Sequence, residues 1–145
     1  MTTIACNLEE MAADSRITQE DHANKRINVS YATKIERIED TIVGSSGDYQ
    51  AGVRFHDWLK SGGRKPRLCK EFRALKLTKD GIFLMDGDDL TWMPLRQNFS
   101  AIGSGCGFAI GAMVKGASPK EAVSIAKDWD VYSGGPVTVI QLEKS

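Results

Sequence analysis

The residue of greatest chemical interest in this sequence is Thr2, which directly follows Met1. Removal of the methionine would leave a threonine that carries a hydroxyl nucleophile and a free α-amine on one residue. The ordinary pKa of an α-amine, about 7.7–8.0, lets it accept the hydroxyl proton near neutral pH. A threonine with its own amine is one of the known nucleophile–base arrangements. Many proteins begin with Met-Thr, so this chemistry depends on supporting groups elsewhere.

Asp14 and Lys34 are candidate partners for Thr2, although each also has an ordinary structural interpretation. Asp14 stands at the exit of an apolar segment, where an acid commonly caps a turn, and Lys34 lies in a β-rich region, where lysines commonly face the solvent. If Lys34 faced inward beside Asp14, its charge would lower the pKa of neighbouring amine and hydroxyl groups. The residues alone leave both interpretations open.

Two later segments combine glycine with serine or aspartate. The segment 103–107 lacks the lysine of a phosphate-binding loop and a clear dinucleotide fingerprint, so it favours a closely packed helix start around Ser104. Cys106 in that segment would need a histidine partner to act as a nucleophile, and no placement of the histidines argues for one. The segment from Asp130 through Ser133 to Gly135 is, by itself, typical of a helix-to-strand turn.

The elements that must position these residues are short strands and three helices. Strands are expected at 3–6, 11–14, around 34–35, and at 41–43, 72–77, 82–85, 90–93 and 137–142, with a loop at 15–25. Asp48 is expected to cap a helix that runs to about Lys60, and a second helix opens at 103–105 and ends near Gly116. Ser118 begins the third with Pro119 and a capping box. This order predicts an α+β sandwich in a single domain, residues 1–145.

Composition and charge exclude several classes of function. Nineteen basic residues balance nineteen acidic residues among 145, so no net field favours nucleic acid or an anionic membrane. No apolar stretch approaches the roughly 20 residues needed to span a bilayer, and the N-terminus lacks the pattern of a secretory signal. We therefore expect a cytoplasmic protein.

The cysteines and histidines give no sign of a disulfide framework or a metal site. Cys6, Cys69 and Cys106 are odd in number and widely spaced. His22 and His56 have no histidine or cysteine neighbour at ligand spacing. Neither a metal nor another cofactor is expected.

In their order along the chain, the segments resemble the proteasome β-subunit and HslV-type peptidase family of N-terminal-nucleophile hydrolases. The similar blocks span nearly the whole chain, and they are Thr2-Thr3-Ile4, Ala13-Asp14-Ser15-Arg16 with Thr18, Lys34-Ile35, Gly44-Ser45-Ser46-Gly47, 101–105 with Ala109, and 130–135. The resemblance implies a four-layer αββα sandwich. The chain is shorter than the family pattern by one helix, because only segment 48–60 fits a helix before the strands that begin at Phe72.

The resemblance also implies a role for each candidate residue. Thr2 would attack a peptide carbonyl once Met1 is removed, with its own amine as proton acceptor. Asp14 would orient Lys34, and Lys34 would lower the pKa of the threonine hydroxyl. The residues that match the supporting network around the amine are Ser104, Asp130 and Ser133.

Five further matches concern substrate binding. Gly47 matches the position whose amide forms the oxyanion hole, since a glycine backbone can come close to the carbonyl. Thr18 matches a residue whose backbone pairs with the substrate as an added strand. The resemblance implies that the specificity pocket is lined by Ile17, Ala32 and Ser46.

The family resemblance implies partners as well. It implies a polypeptide substrate and a homo-oligomeric ring or stacked rings, with contacts between rings from the helices that follow Ser104 and Ser118. The absent helix belongs to the surface that contacts an α-ring or ATPase cap, so the usual cap is not expected. No nucleic acid or membrane partner is implied.

The leading hypothesis is a threonine-type endopeptidase. One alternative is a catalytically inactive family member that serves as a structural or assembly subunit, which the absent helix and the dependence on Met1 removal both motivate. The other is an N-terminal-nucleophile amidase that acts on a small molecule.

Overall fold

The computed structural model describes residues 2–21, 23–87 and 89–142, so that Met1 and His22 lie outside the described residues. In chain order the elements are β1 (Ile4–Asn7), β2 (Glu10–Ala13), β3 (Arg16–Asp21), β4 (Arg26–Tyr31), β5 (Ile35–Ile38), β6 (Thr41–Ser46), α1 (Tyr49–Ser61), β7 (Arg73–Thr78), β8 (Gly81–Asp86), β9 (Met93–Pro94), β10 (Phe99–Ile102), α2 (Cys106–Val114), α3 (Pro119–Trp129) and β11 (Thr138–Gln141).

The strands form two antiparallel sheets and one separate ribbon. The first sheet has the order β10-β1-β2-β11, and the second has the order β5-β6-β7-β8-β9. The ribbon consists of β3 and β4, which pair from Arg16 with Tyr31 to Asp21 with Arg26. Because β3 directly follows β2 and β4 leads towards β5, the ribbon connects the two sheets.

The two sheets pack face to face, and helices cover their outer faces. Successive residues of a strand point to opposite faces, so Ile4 and Ile42 lie in the apolar cluster between the sheets. The neighbours of these residues face outward, with Ala5 packed against α2 and α3 and Val43 packed against α1. The layers are therefore helix, sheet, sheet, helix, as the sequence predicts.

Helix α1 is the only helix between β6 and β7, which confirms the predicted shortening. The side chain of Asp48 accepts a hydrogen bond from the amide of Ala51 over 2.9 Å and so caps the helix at the predicted residue. Phe55 is fully buried beneath the helix against the second sheet. Residues 62–72 then return to β7 without another helix or strand.

Three strands were not predicted, and a fourth is shorter than expected. Residues 15–25 were expected to form a loop, but Arg16–Asp21 form β3, and Arg26–Tyr31 form β4 where no strand was expected. The strand expected at 90–93 is only Met93–Pro94. No strand was expected at Phe99–Ile102, yet β10 pairs with β1 along its whole length at the edge of the first sheet. The ribbon strand β3 belongs to neither sandwich sheet, and its sequence RITQED carries no run of apolar residues that would reveal it.

Candidate active site

Thr2 lies two residues before β1 with only 5% of its surface exposed. The Nζ atom of Lys34 donates a hydrogen bond to the Oγ1 atom of Thr2 over 2.8 Å. The backbone nitrogen of Thr2 donates to the Oγ atom of Ser104 over 3.2 Å. The hydroxyl and the nitrogen of Thr2 therefore have separate partners.

Asp14 positions the lysine. It lies directly after β2 and is fully buried. Its Oδ1 atom accepts hydrogen bonds from Nζ of Lys34 and from the amide of Thr3, each over 3.0 Å, and its Oδ2 atom accepts one from the amide of Gly134 over 3.0 Å. Because two amides fix the carboxylate, Lys34 is held in one position against Thr2.

Lys34 faces the protein interior, in contrast to an ordinary solvent-facing lysine of a strand. Burial lowers the pKa of Lys34 from its ordinary value, while the charge and hydrogen bond of Asp14 act in the opposite direction. An ammonium group 2.8 Å from Oγ1 of Thr2 favours the deprotonated form of that hydroxyl. The arrangement can therefore activate Thr2 electrostatically.

A second hydrogen-bonded group lies on the nitrogen side of Thr2. The Oδ2 atom of Asp130 accepts hydrogen bonds from Oγ of Ser104 over 2.7 Å and from Oγ of Ser133 over 2.5 Å. Burial by itself would raise the pKa of Asp130, but these bonds and that of the Tyr132 amide hold it below its ordinary value. The carboxylate is thus ionised at neutral pH, and it accepts a hydrogen bond from the hydroxyl group of each serine.

The direction of these bonds determines what Ser104 offers to Thr2. Ser104 has one hydroxyl proton, and the contact with Asp130 at 2.7 Å is shorter than the one with the carbonyl of Thr2 at 3.3 Å. With its proton directed to Asp130, the Ser104 oxygen is an acceptor for an N–H of Thr2. An α-amine in that position would keep its own lone pair available for a proton.

Thr3 and Arg16 also belong to the site, although no role was predicted for them. The hydroxyl groups of Thr3 and Ser133 share a hydrogen bond of 2.7 Å, and Nη2 of Arg16 donates to the carbonyl of Ser133 over 3.0 Å. Their partner lies 130 and 117 positions away along the chain. No local pattern reveals contacts over such distances.

Gly103 allows the start of α2 to lie directly against Thr2. It has a φ of +95°, and a Cβ atom added to it would lie 2.1 Å from the carbonyl oxygen of Thr2. Any other residue would meet both backbone strain and a steric clash there. The predicted close packing at the helix start is therefore a packing of α2 against the candidate nucleophile.

Thr2 and Lys34 form part of the wall of a cavity of about 1050 Å³. Four of the residues predicted to contact substrate also line this cavity, and they are Ile17, Thr18, Ala32 and Gly47. Gly47 has a φ of +120°, a conformation that glycine adopts without strain.

Ser46 was also expected in the pocket, but it does not line the cavity, whereas Ser45 does. Alternate residues of β6 share a face. Ser46 therefore faces the space between the sheets, as Ile42 does, and Ser45 faces α1, as Val43 does. The two serines face opposite sides of the second sheet.

The cavity wall also contains four polar residues that we call the polar chain, namely Ser45, His56, Glu36 and Lys60. Oγ of Ser45 lies 3.2 Å from Nε2 of His56, and Nδ1 of His56 lies 2.7 Å from Oε1 of Glu36. Nζ of Lys60 donates to Oε2 of Glu36 over 3.2 Å. No role was predicted for this cluster from the sequence.

Within 2–21, 23–87 and 89–142 no group of three or more histidine, cysteine or acidic side chains could hold a metal ion. Burial raises the pKa of Cys6 to about 12, so its thiol stays protonated. Among these residues no helix has the length and apolar character that crossing a membrane requires.

Solved structures share this fold over the whole chain. Thiobacillus denitrificans BPH is similar with a TM-score of 0.68 and 19% identity, covering 99% of each chain. BPH in complex with epoxomicin gives 0.66 and 19%, again covering 99% of each chain. Eukaryotic HslV from Trypanosoma brucei gives 0.69 and 19%, covering 98% of this chain and 99% of that one.

The sequence matches no family model and no curated protein. At 19% identity the structural similarity shows the fold, and this chain has the fold of the HslV-type peptidases. The predicted αββα architecture and the family resemblance in fold are thereby confirmed.

Proposed function

We propose that this protein is a proteasome-like threonine peptidase that hydrolyses peptide bonds through Thr2 after removal of Met1. The observation that carries the proposal is the double environment of Thr2. Its hydroxyl lies 2.8 Å from the Lys34 ammonium, and its nitrogen lies 3.2 Å from the Ser104 hydroxyl. A buried threonine with both atoms engaged in this way is suited to act as nucleophile and base together.

The reaction follows from these contacts. The neutral α-amine of Thr2 takes the proton of its own hydroxyl, and Oγ1 forms a bond to the substrate carbonyl carbon. The C–N bond then breaks, the amine proton passes to the leaving nitrogen, and an ester remains on Thr2. Water, deprotonated by the same amine, attacks the ester and releases the carboxylic acid, which restores the hydroxyl.

The supporting residues act on the hydroxyl oxygen of Thr2, on its amine or on the substrate carbonyl. Lys34, oriented by Asp14, stabilises negative charge on Oγ1 of Thr2 as the proton leaves. Ser104 accepts an N–H of the amine and so directs the amine lone pair. Asp130 and Ser133 keep Ser104 in that role, and we assign the oxyanion-hole donor to the amide of Gly47 in the same cavity.

The ribbon provides a binding edge for an extended peptide. Among the described strands β3 pairs only with β4. The amide of Arg16 also donates to the carbonyl of Gly134, and beyond that residue no described strand pairs with the other edge of β3. Thr18 lies in β3 and lines the cavity. We infer that the substrate adds to this edge as a strand, with main-chain hydrogen bonds at Thr18. Ile17 and Ala32 then contact its side chains.

We infer that the chain acts as a homo-oligomer in the cytoplasm. Helices α2 and α3 leave large apolar side chains exposed, among them Phe108, Val114, Ile125 and Trp129. Such a surface is typical of a protein interface, and the same helices were predicted to join rings. With α1 as the only helix between β6 and β7, the usual cap is not part of the proposal. A monomer at all concentrations in size-exclusion chromatography with light scattering would contradict self-association.

Intact mass and covalent labelling test the proposed chemistry. The purified full chain should lack the mass of Met1 and should react once with epoxomicin, the compound in one of the similar structures. Thr2→Ala should abolish both labelling and hydrolysis of fluorogenic peptides, whereas Thr2→Ser, which keeps a hydroxyl and an amine, should retain both in part.

The outcomes separate the alternatives. A methionine-free chain that neither labels nor cleaves peptides would refute the enzyme and support a structural subunit. A chain that labels at Thr2 but cleaves no peptide would support an amidase for small molecules.

A further inference from the structure

The polar chain begins directly beside the candidate nucleophile. One step beyond the register pair of Ile35 and Gly44, strands β5 and β6 bring Lys34 opposite Ser45. Alternate residues of an extended chain share a face, so Lys34 and Glu36 lie about 7 Å apart on one face. Glu36 of the polar chain is therefore the next residue after Lys34 on the same face, and Lys34 contacts Thr2.

The protons of the polar chain have a defined direction. Burial lowers the pKa of His56 despite the opposing effect of Glu36, so the imidazole is neutral at pH 7. Burial would raise the pKa of Glu36, but hydrogen bonds from His56 and Lys60 keep it below its ordinary value and leave it ionised. An ionised carboxylate only accepts. The single ring proton of His56 is therefore on Nδ1, and Ser45 donates its proton to Nε2.

This direction leaves acceptors facing the cavity. The Ser45 hydroxyl donates its hydrogen bond to His56, so its oxygen can still accept hydrogen bonds from a ligand. Each oxygen of the Glu36 carboxylate can also accept a further hydrogen bond. Lys60 compensates one charge, but its side chain is 46% exposed and also lies 3.8 Å from Asp57. Over the whole cavity wall the four acidic residues Glu36, Asp48, Asp57 and Glu71 outnumber the three basic residues Arg16, Lys34 and Lys60, so the wall carries a net negative charge.

We propose that the polar chain is a subsite for a basic side chain, lysine or arginine, on the substrate residue whose carbonyl Thr2 attacks. The inference rests on the proposed peptidase function. A cationic donor would hydrogen-bond to Glu36 and to the Ser45 oxygen, and a charge-assisted bond is about twice as strong as a neutral one. The guanidinium of arginine also matches a carboxylate in two parallel bonds. An acidic side chain would be repelled by the Glu36 carboxylate and would have to compete with it for the Lys60 ammonium.

The test compares fluorogenic peptides that differ only in that residue, which is arginine, leucine or aspartate. With the methionine-free full chain, kcat/KM should be about tenfold higher for arginine than for leucine, the effect of one charge-assisted hydrogen bond. It should be lowest for aspartate. Glu36→Gln and Ser45→Ala should reduce this ratio through a higher KM for the arginine peptide. The matched control is Glu71→Gln, which removes a carboxylate from the same cavity wall outside the polar chain.

The results distinguish the subsite from the peptidase. Cleavage of all peptides without a preference for arginine, or a preference that Glu36→Gln leaves intact, would overturn the subsite and leave the peptidase standing. Cleavage of no peptide by the methionine-free chain would refute the peptidase itself. Labelling of Ser45 by a fluorophosphonate would also overturn the subsite, because the serine would then be a nucleophile. Epoxomicin labelling of each variant at Thr2 verifies that it is folded.

Discussion

Replacement of Lys34 by alanine tests the electrostatic activation of Thr2. The ammonium donates to Oγ1 of Thr2 over 2.8 Å and to Asp14 over 3.0 Å. Lys34→Ala removes this positive charge, which stabilises an anionic Oγ1, and leaves the negative charge of Asp14 in place. The amine of Thr2 and its Ser104 contact stay in place, so the variant isolates the hydroxyl side of the site.

The expected loss follows from Coulomb's law. At an effective dielectric constant of about 20, a unit negative charge 2.8 Å from Nζ is stabilised by about 6 kcal/mol. With about half of that charge developed on Oγ1 in the transition state, Lys34 contributes about 3 kcal/mol, or about a hundredfold in rate. Stability should fall too, because the fully buried Asp14 loses its ion-pair partner. The two amides that still bind its carboxylate limit that cost.

The assay is kcat/KM for a fluorogenic peptide together with the rate of labelling at Thr2, both below the unfolding temperature of the variant. Lys120→Ala removes an exposed lysine at the start of α3 and is the control. A folded Lys34→Ala protein that keeps kcat/KM within about threefold of the unmodified chain would refute the electrostatic argument.

Three further substitutions test other parts of the structure. Asp14→Asn leaves the effect of burial on Lys34 with less opposition, so the pKa of the lysine should fall further; the alkaline limb of the pH profile of kcat/KM should then move to lower pH. Gly103→Ala should lower the melting temperature in calorimetry and slow the labelling of Thr2, because the added Cβ lies 2.1 Å from the carbonyl oxygen of Thr2; unchanged values would contradict the close packing. His56 has a lower pKa in the folded than in the unfolded chain, so the unfolded chain binds its proton more readily and the free energy of unfolding should fall as the pH drops through about 6.5. Urea titrations on either side of that pH should show a weaker dependence for His56→Gln.

Local signals in the sequence are sufficient for the helices but not for every strand. Ser118, Pro119 and Glu121 lie within one turn, and the capping box that they predict is present in the structure. Strand β3 has no comparable signal, because it pairs in a two-stranded ribbon rather than inside the sandwich. Periodicity reports burial on one face, and it is weak where burial is incomplete.

Local sequence signals also do not predict which residues of the site meet. Asp14 and Lys34 each had an ordinary interpretation, and only the family resemblance placed them beside Thr2. The contact of Ser45 with His56 was missed, because it depends on the face of β6 that meets α1 and on the helical position of His56. Pairings between a strand and a helix follow from packing, which no short motif records.

The partners of the first residues come from distant parts of the chain. Ser104 is 102 positions from Thr2, and Ser133 is 130 positions from Thr3. Contacts that close such long loops form only once the intervening elements are ordered. A nascent chain that has not yet supplied α3 therefore holds a threonine without its second group of partners. The proposed activity would begin only when synthesis and folding are complete, which protects neighbouring nascent chains from an enzyme that is still being made.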